Sequence, residues 1–348
     1  MAPQRWWHLT TTMAHVEMVA CPFDPQLMPP FLNKAILSVL PSLHPVIIHI
    51  LLLLLIGNAW GSTIALATIA TSTGRAPIAI AFATTAVSVL LLGGWMLLRR
   101  IPIPRDRGAI GFFLVTGLLG TALPSVGTYY VAQALPAGIR AIVFALIPMI
   151  TLGLSVALAV ERLEARRLLG LLLGLGAVAV LVVPDLLGTS AQVQSYAQLG
   201  WIVVATGVAT SYALENVYIG ARRPAGMDTG VALFGMHLAA LVMLLLVVWV
   251  TGTPLGATPG WNSADAAVAL IGMINIGAYA GFLLLIGHAG PVYASQLSYV
   301  LTPAGILWGA LILAESISGQ ILISLLLVLA GLALTKPAPT APRDDPAG

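Results

Sequence analysis

Ten long apolar runs follow one another along the chain, separated by short polar stretches. A helix needs about 20 apolar residues to cross the hydrocarbon core of a bilayer, and most of these runs approach that length. Lipid offers no hydrogen bonds to backbone groups, so a spanning segment must be a helix or a strand of a closed barrel. These runs are too long and too continuously apolar for barrel strands. The pattern predicts an all-α fold, a polytopic membrane protein with ten transmembrane helices at residues 46–70, 77–98, 108–135, 139–160, 168–183, 199–219, 230–250, 266–286, 292–314 and 321–334.

Two stretches repeat one pattern, in which an apolar run is followed by a short hinge with a glutamate and then by a second apolar run. They are residues 148–183, with Glu161 in the hinge, and residues 303–334, with Glu315 in the hinge. The similarity predicts two repeats of five helices each. An odd number of helices per repeat forces the second repeat to enter the membrane in the opposite orientation. Inverted repeats of this kind are typical of transporters, whose site lies near the middle of the membrane.

The repeats divide the chain into five parts. These are an N-terminal tail, the first repeat with helices 1–5, an external loop, the second repeat with helices 6–10, and a C-terminal tail, at residues 1–45, 46–183, 184–198, 199–335 and 336–348. The N-terminal tail contains no long apolar run, and we expect it to be disordered. The alternative is a segment at residues 31–40 that lies in the membrane interface.

Lysine and arginine in short loops predict the orientation of the chain, because they favour the cytoplasmic side. With the N-terminus in the cytoplasm, the external side receives only Arg75 and Arg140 among the loop and helix-end residues. The cytoplasmic side then receives Lys34, Arg99, Arg100, Arg105, Arg107, Arg162, Arg166, Arg167, Arg222, Arg223, Lys336 and Arg343. The distribution predicts a multi-pass protein of the bacterial inner membrane with both termini in the cytoplasm.

The composition supports a membrane protein and excludes several classes of function. The chain is 59% hydrophobic and 8% charged, whereas soluble proteins carry about 25% charged residues. The arginines lie in separate loops and form no basic face, so we expect no nucleic-acid partner. Cys21 is the only cysteine, and neither a His-Glu-x-x-His pattern nor a Gly-Lys-Ser/Thr phosphate loop occurs. We therefore expect no catalytic residue, no metal, no cofactor and no ATP-driven pump, with the lipid bilayer and a small-molecule substrate as partners.

Several short motifs, weak one by one, occur in a duplicated arrangement. They are Trp60-Gly61-Ser62-Thr63, Ala134-Leu135, Pro148 followed by Glu161-Arg162-Leu163, the glycines Gly170, Gly174 and Gly176, and then Gly290-Pro291, Pro303, Glu315 and Gly331. With these motifs, residues 46–335 resemble the EamA type of the drug/metabolite transporter superfamily. The resemblance implies ten helices, a central cavity between the repeats, and export of amino acids, metabolites or drugs. Glu215 is not a feature of that family, and helix 2 lacks the arginine often found at its middle.

Glu215 is the only carboxylate well inside an apolar run. A charged group at the bilayer centre costs roughly 2.5–3.5 kcal/mol on insertion scales, so such a residue usually faces a cavity or a partner. Removal from water favours the protonated form of a carboxyl group, which suits proton coupling. Two interpretations stay open, namely coupling or substrate contact by Glu215, and an ion pair with Arg222 or Arg223 near the cytoplasmic edge.

Aromatic and amide side chains gather in the helices that the family resemblance places around the cavity, which are helices 1, 3, 4, 6, 8 and 9. The candidate substrate-binding residues are Asn58, Trp60, Tyr129, Tyr130, Tyr212, Asn275, Tyr279, Gln296 and Tyr299. Their alternative role is packing against lipid for the aromatic rings and hydrogen bonding between helices for the amides. A cavity rich in tyrosine with few charges favours neutral or zwitterionic amphipathic solutes, and aromatic faces attract an amino group.

His237 lies in the middle of helix 7 and is a second candidate for coupling, with a structural hydrogen bond as the alternative. Pro124, Pro148 and Pro303 interrupt helices 3, 4 and 9, because proline removes a helical hydrogen bond. They are candidate hinges for alternating access or static bends. The small-residue pair Gly170-x-x-x-Gly174 allows close packing inside a monomer or across a homodimer.

These features together predict a secondary transporter. It exports small metabolites, amino acids or related amphipathic solutes, by alternating access, with proton coupling as an option. One alternative is a multidrug or toxic-compound exporter of the same fold. The alternative from a different class is an intramembrane enzyme, which would need acid, base or nucleophilic groups that converge in a closed pocket.

Overall fold

Helices make up all the regular structure in the described part of the chain. The computed structural model describes residues 45–157, 165–187, 192–255, 260–295 and 297–334. The helices are α1 (Pro45–Thr71), α2 (Pro77–Arg99), α3 (Arg107–Thr116), a π-helical turn (Gly117–Ala122), α4 (Leu123–Ala134), α5 (Ala137–Phe144), α6 (Ile147–Ala157), α7 (Ala165–Leu187), α8 (Gln192–Arg222), α9 (Thr229–Thr251), α10 (Ser263–Ser295), α11 (Ser298–Leu313) and α12 (Gly319–Leu334). The prediction of an all-α fold is confirmed for these residues.

Seven helical segments of the described chain are long and apolar enough to cross a membrane. They are Leu51–Thr71, Pro77–Arg99, Arg107–Ala134, Ala137–Ala157, Gln198–Arg222, Thr229–Thr251 and Ser263–Ile286. Three shorter apolar helices, Leu168–Val180, Val300–Leu313 and Gly319–Gly331, lie where the sequence predicts helices 5, 9 and 10. The prediction of a polytopic membrane protein therefore holds, while the count of ten spans and the inverted repeat stay predictions. The N-terminal tail, Glu161 and residues 335–348 lie outside the described residues.

The third span bends at a π-helical turn, and the sequence explains the bend. Pro124 has no N–H to donate to the carbonyl of Gly120, four residues earlier, so an α-helical hydrogen bond is missing there. The turn widens instead, and the N–H of Leu123 donates to the carbonyl of Leu118. Turns of this kind are frequent at functional sites. The Gly120 carbonyl is thereby left free to accept a hydrogen bond from another helix.

Of the two other candidate hinge prolines, Pro148 lies next to a break between helices and Pro303 lies within a helix. The fourth span divides into α5 and α6 just before Pro148, where Ala145 and Leu146 donate to the carbonyls of Ile142 and Val143 at 3.1 and 3.0 Å. Pro303 lies inside α11. The structure places the prolines where a hinge or a static bend would be, and the hinge role stays a prediction.

Helices from the first half of the chain pack against helices from the second half. Helix α1 contacts α10 and α11, α2 contacts α9, and α7 contacts α12. Glycines make the closest approaches, because a Cβ atom on Gly61 would lie 2.6 Å from the Cβ of Ala304. A Cβ atom on Gly331 would lie 2.7 Å from the Gly170 carbonyl oxygen. The Gly170 end of the small-residue pair is thus used within one chain.

Candidate functional site

A buried carboxylate, Glu215 on α8, lies at the centre of the candidate site. Its side chain is 1% exposed. One carboxylate oxygen, Oε2, lies 3.4 Å from the hydroxyl group of Tyr279 on α10. The other oxygen, Oε1, has no hydrogen-bond partner in the structure. A carboxylate held away from water with one oxygen unpaired is an expensive arrangement, which marks a functional position rather than a stabilising one.

The space for this carboxylate comes from the π-helical turn. A Cβ atom at Gly120 would overlap the Glu215 carboxylate, so a residue with a side chain does not fit there while Glu215 keeps its position. Gly117 has a similar role one turn earlier, where a Cβ atom would lie 2.6 Å from the carbonyl oxygen of Met236 on α9. The turn therefore brings α3 and α4 against α8 and α9 at the depth of Glu215.

Tyr279 connects the elements around the carboxylate. Its hydroxyl group donates to the Gly120 carbonyl at 2.6 Å, which is the carbonyl that Pro124 leaves without an α-helical donor. The ring makes edge contacts with Trp60 on α1 at 4.9 Å and with His237 on α9 at 5.7 Å between centroids. Tyr279 is thus in contact with groups from four separate segments of the chain.

A second polar contact crosses from α1 to α10 next to this centre. The indole N–H of Trp60 donates to the side-chain oxygen of Asn275 at 3.2 Å. Asn275 and Tyr279 are four residues apart and so share one face of α10, as the sequence predicts. The structure brings together five of the predicted site residues, which are Trp60, Glu215, His237, Asn275 and Tyr279.

His237 contributes a ring to this cluster and also bonds within its own helix. Its Nδ1 atom lies 2.9 Å from the carbonyl oxygen of Leu233, one turn earlier. The side chain is fully buried. The structural hydrogen bond that the sequence offers as an alternative is therefore present, and the coupling role stays a prediction.

The interpretation of Glu215 as half of a structural ion pair is wrong. Arg222 is exposed. Arg223 donates to the carbonyl oxygen of Met227 at 2.9 Å and to the hydroxyl group of Thr229 at 3.0 Å, both beyond the end of α8. Arginine side chains are long enough to reach one or two turns along a helix, but the Arg223 side chain bonds to the segment that follows α8. Among the described side chains, no arginine or lysine forms an ion pair with Glu215.

Other predicted residues lie around the cluster or away from it. Tyr129 is buried and donates to Thr84 on α2 at 3.3 Å, and Tyr212 is half-buried among apolar side chains. Asn58 is exposed and accepts a hydrogen bond from Trp308 on α11 at 3.1 Å, and Tyr130 is 37% exposed. Asn58 and Tyr130 are therefore not part of the cluster around Glu215. Gln296 and the side chain of Tyr299 lie outside the described part of the chain.

Residues of the π-helical turn and its neighbours were not predicted as part of the site. Ser211 on α8 donates to the Leu119 carbonyl at 2.7 Å, so a second carbonyl of the turn is bonded from another helix. The hydroxyl group of Thr121 is buried and has no hydrogen-bond partner among the described residues. The sequence does contain a signal for this region, because Pro124 stands four residues after Gly120 in a run of apolar and small residues.

Comparisons with known proteins identify transporters similar to this chain. Residues 47–183 match the EamA-like transporter family. The uncharacterized inner membrane transporter YedA of Escherichia coli K12 is 29% identical over 270 residues, which cover 74% of this chain and 81% of the relative. YedA of E. coli O157:H7 gives the same figures. A protein with a crystal structure is 20% identical at a TM-score of 0.57, covering 82% of this chain and 96% of its own, which shows the fold alone.

Apolar helices that surround a buried polar cluster define a multi-pass membrane protein. The match over residues 47–183 and the similarity to YedA both support an EamA-type transporter of the drug/metabolite transporter superfamily. The relative is an inner membrane transporter by name, and the apolar helical segments of this chain make it a multi-pass membrane protein.

Proposed function

We propose that the chain is a secondary transporter that exports small amphipathic metabolites, amino acids or their relatives, by alternating access. The two five-helix halves, at residues 46–183 and 199–335, would be inverted repeats that move around a central site, with both termini in the cytoplasm. Contacts of α1 with α10 and α11 support this arrangement, because a site between the halves needs helices from both. The site would take its solute next to Trp60, Asn275 and Tyr279.

One observation carries the proposal, the unpaired carboxylate of Glu215 between the two halves. Its Oε1 atom has no partner, and the nearest hydrogen-bonding group on its other oxygen is the hydroxyl of Tyr279 at 3.4 Å. A carboxylate without a cation can bind a proton, or the amino group of a substrate, without first breaking an ion pair. Exchange of these two ligands at one oxygen would couple export to proton entry.

Substrate transport in everted membrane vesicles tests the proposal. We expect uptake of an amino acid from a panel of amino acids and dyes, stimulated by a pH gradient across the vesicle membrane. Glu215→Gln keeps the shape of the side chain and an acceptor oxygen for the amino group of a substrate but binds no proton. It should therefore lose the stimulation and retain counterflow, with a weaker affinity for the substrate. Glu315→Gln is the matched control, since that carboxylate binds backbone groups, and it should stay responsive to the gradient.

Each outcome of this experiment decides one part of the proposal. Equal stimulation of wild type and Glu215→Gln would show that Glu215 is not the coupling group. Absence of counterflow for every amphipath in the wild type would rule out the proposed substrate class. The two results are independent, because counterflow needs a binding site and no coupling.

A multidrug exporter of the same fold is the second candidate, and the aromatic side chains of the site favour it. Trp60, Tyr279 and Phe282 contact one another edge to face, with centroids 4.9, 5.5 and 6.4 Å apart. Aromatic faces bind flat organic cations as well as amino groups. Competition separates the two, because a dye that is exported and not displaced by any amino acid would favour the multidrug function.

An intramembrane enzyme is the alternative from another class. Glu215 and His237 both contact Tyr279. The Nδ1 atom of His237, however, is hydrogen-bonded to the carbonyl oxygen of Leu233, so only its other ring nitrogen could take part in acid–base catalysis. Mass spectrometry of the probe solute after incubation distinguishes the classes. A transporter returns the solute unchanged, whereas an enzyme gives a product of different mass.

A further inference from the structure

A cleft outside the central site opens on the lipid-facing side of the molecule. It has a volume of about 280 Å³ and lies between α2 of the first half and α9 and α10 of the second half. Side chains at its border are exposed, with Leu91 at 48% and Met273 at 49%. The lining is apolar almost throughout, so hydrocarbon must fill this cleft when the protein lies in a bilayer.

The length of the cleft corresponds to one leaflet of the bilayer. Along α10 it extends from Met273 to Leu284, which is roughly 16 Å at 1.5 Å per residue. The hydrocarbon core of a bilayer is about 30 Å thick, so a single leaflet contributes about half of that depth. A lipid acyl chain lying along α10 would therefore occupy the cleft from the headgroup level to the bilayer centre.

Polar and charged groups stand at one end of the cleft. Trp95 lines it, and the buried indole nitrogen of Trp95 has no hydrogen-bond partner in the structure. The ring packs tightly on the first turn of α9, where a Cβ atom on Gly230 would lie 2.7 Å from it. Tryptophan is enriched at the level of lipid headgroups, where its ring is in hydrocarbon and its N–H can reach a polar group.

Two arginines follow Trp95 at the end of α2. Arg99 is four residues after Trp95 and so lies on the same face of the helix, and Arg100 ends the helix with a positive φ of 53°. Both side chains are exposed. Basic groups beside a cleft between transmembrane helices bind anionic headgroups. Any acyl chain can fill the apolar cleft, so the two arginines are the groups that would favour a lipid with an anionic headgroup.

We propose that this cleft is a binding site for an anionic phospholipid. One acyl chain lies along α10, the ring of Trp95 packs against its headgroup end, and Arg99 and Arg100 bind the phosphate-containing headgroup. In the proposed orientation of the chain, the lipid belongs to the cytoplasmic leaflet. The site is separate from Glu215 and does not depend on the identity of the transported solute.

Native mass spectrometry of the purified full-length protein tests the site. The probes are phosphatidylglycerol and phosphatidylethanolamine, added in equal amounts in detergent. Gly277→Leu should block the cleft, because Gly277 lines it and a Cβ atom there meets nothing within 4 Å. The matched control is Gly207→Leu on α8, which is also exposed, also has open space at the Cβ position, and does not line the cleft.

We expect the wild type and Gly207→Leu to retain phosphatidylglycerol in preference to phosphatidylethanolamine, and Gly277→Leu to lose it. The double variant R99Q/R100Q should keep a bound lipid but lose the preference by on the order of tenfold, since each basic residue near an anionic surface contributes several-fold. R105Q/R107Q, which also changes exposed arginines, should keep the preference.

Three results would overturn the proposal. They are equal retention of phosphatidylglycerol by Gly277→Leu and wild type, no preference between the two lipids in the wild type, and a preference in R99Q/R100Q that equals the wild type. Arg99 and Arg100 are exposed, so their substitution should not disturb folding. The arginine variants therefore test the headgroup contact even if Gly277→Leu fails to fold. Loss of transport in Gly277→Leu with unchanged lipid retention would show instead that the cleft admits the solute.

Discussion

Two glutamates of the second half, Glu215 and Glu315, have opposite environments. The Glu315 carboxylate accepts hydrogen bonds from the backbone N–H groups of Ala137 at 2.9 Å and Gly138 at 3.2 Å, the first turn of α5. The Glu215 carboxylate has one unpaired oxygen and a tyrosine hydroxyl 3.4 Å from the other. The first arrangement stabilises the ionised carboxylate, because a helix N-terminus carries unpaired donors and a partial positive charge.

The difference separates a structural carboxylate from a functional one. Glu315 joins the two halves of the chain, since its partners on α5 lie 178 and 177 residues earlier. Its position depends on Ala314, whose positive φ of 54° ends α11 and turns the chain toward α5. Glu215 bonds no backbone donor and no cation among the described residues, so its carboxylate is able to change partners in the proposed transport cycle.

The end of the molecule that contains Glu315 has further charged groups. Arg140, also in α5, is fully buried and donates to Thr68 on α1. Its Nε and Nη1 atoms have no hydrogen-bond partner in the part of the chain that the structure describes. Arg75 and Asp265 form an ion pair at 2.6 Å between the end of α1 and the start of α10. Charged contacts between the halves therefore lie at this end, whereas the halves are joined near Glu215 by hydrogen bonds of uncharged groups, such as Trp60 to Asn275 and Tyr279 to Gly120.

The largest expected effect on stability comes from a substitution of Glu315. Glu315→Ala removes the acceptor for two N–H groups at the start of α5 and a negative charge near Arg140, and should lower the free energy of unfolding by about 2–3 kcal/mol. Glu215→Gln should leave stability unchanged or raise it, because an amide costs less to bury than a carboxylate. Thermal unfolding in detergent micelles measures both.

The variant Glu315→Gln calibrates this prediction. It retains one acceptor oxygen for the α5 N–H groups and should fall between the wild type and Glu315→Ala. Equal stability of Glu315→Ala and the wild type would contradict the structural role of Glu315. A large loss of stability in Glu215→Gln would mean that Glu215 is the carboxylate that holds the helices together.

Gly120→Ala should give the next largest effect. The added methyl group would overlap the Glu215 carboxylate, and overpacking of this kind costs about 1–3 kcal/mol. The variant should also lose pH-stimulated transport, because Glu215 must move. Gly94→Ala is the control, since a Cβ atom there meets nothing within 4 Å, and alanine in a helix is expected to be neutral or stabilising. Identical unfolding curves for Gly120→Ala and Gly94→Ala would contradict the tight fit of the turn.

The region around Gly120 shows how far the sequence predicts the site. Apolar runs set the helical class, because the bilayer permits few alternatives, and the spacing of Asn275 and Tyr279 places them on one face. Pro124 indicates an irregular turn, but its bonding partner, Tyr279, is 159 residues from Gly120. Such a contact depends on how separate helices pack, which helical periodicity does not contain.

The two glutamates show the same limit. A charge pattern places Glu315 at a membrane face and Glu215 inside the membrane, and both placements follow from the lengths of the runs. Spacing along α8 also permits an ion pair of Glu215 with Arg222 or Arg223. That prediction fails because Arg223 bonds to Met227 and Thr229 in the segment that follows. Competing partners beyond the helix end decide which way a long side chain points.

Tyr279→Phe should have a smaller effect than Gly120→Ala. The substitution keeps the ring contacts with Trp60 and His237 and removes the hydroxyl that donates to the Gly120 carbonyl. Loss of one buried hydrogen bond costs about 1 kcal/mol, measured as a shift of the unfolding midpoint in micelles. Tyr130→Phe is the control, because Tyr130 is exposed, and its midpoint should not move. A wild-type midpoint for Tyr279→Phe would show that the hydroxyl adds nothing to the turn.

The smallest expected effects on stability come from two tryptophan–asparagine hydrogen bonds that join the halves. Trp60 donates to Asn275 beside the site at 3.2 Å, and Trp308 donates to exposed Asn58 at 3.1 Å. Polar contacts between membrane helices average about 0.6 kcal/mol, so Asn275→Ala should cost roughly that amount of stability, and Asn58→Ala should cost less because exposed groups find other partners. The two variants should differ more clearly in the transport assay. Asn275→Ala should weaken substrate affinity, and Asn58→Ala should leave it unchanged. If Asn58→Ala weakens affinity as much as Asn275→Ala, the solute contacts the exposed pair as well, and the site extends from Glu215 toward α11.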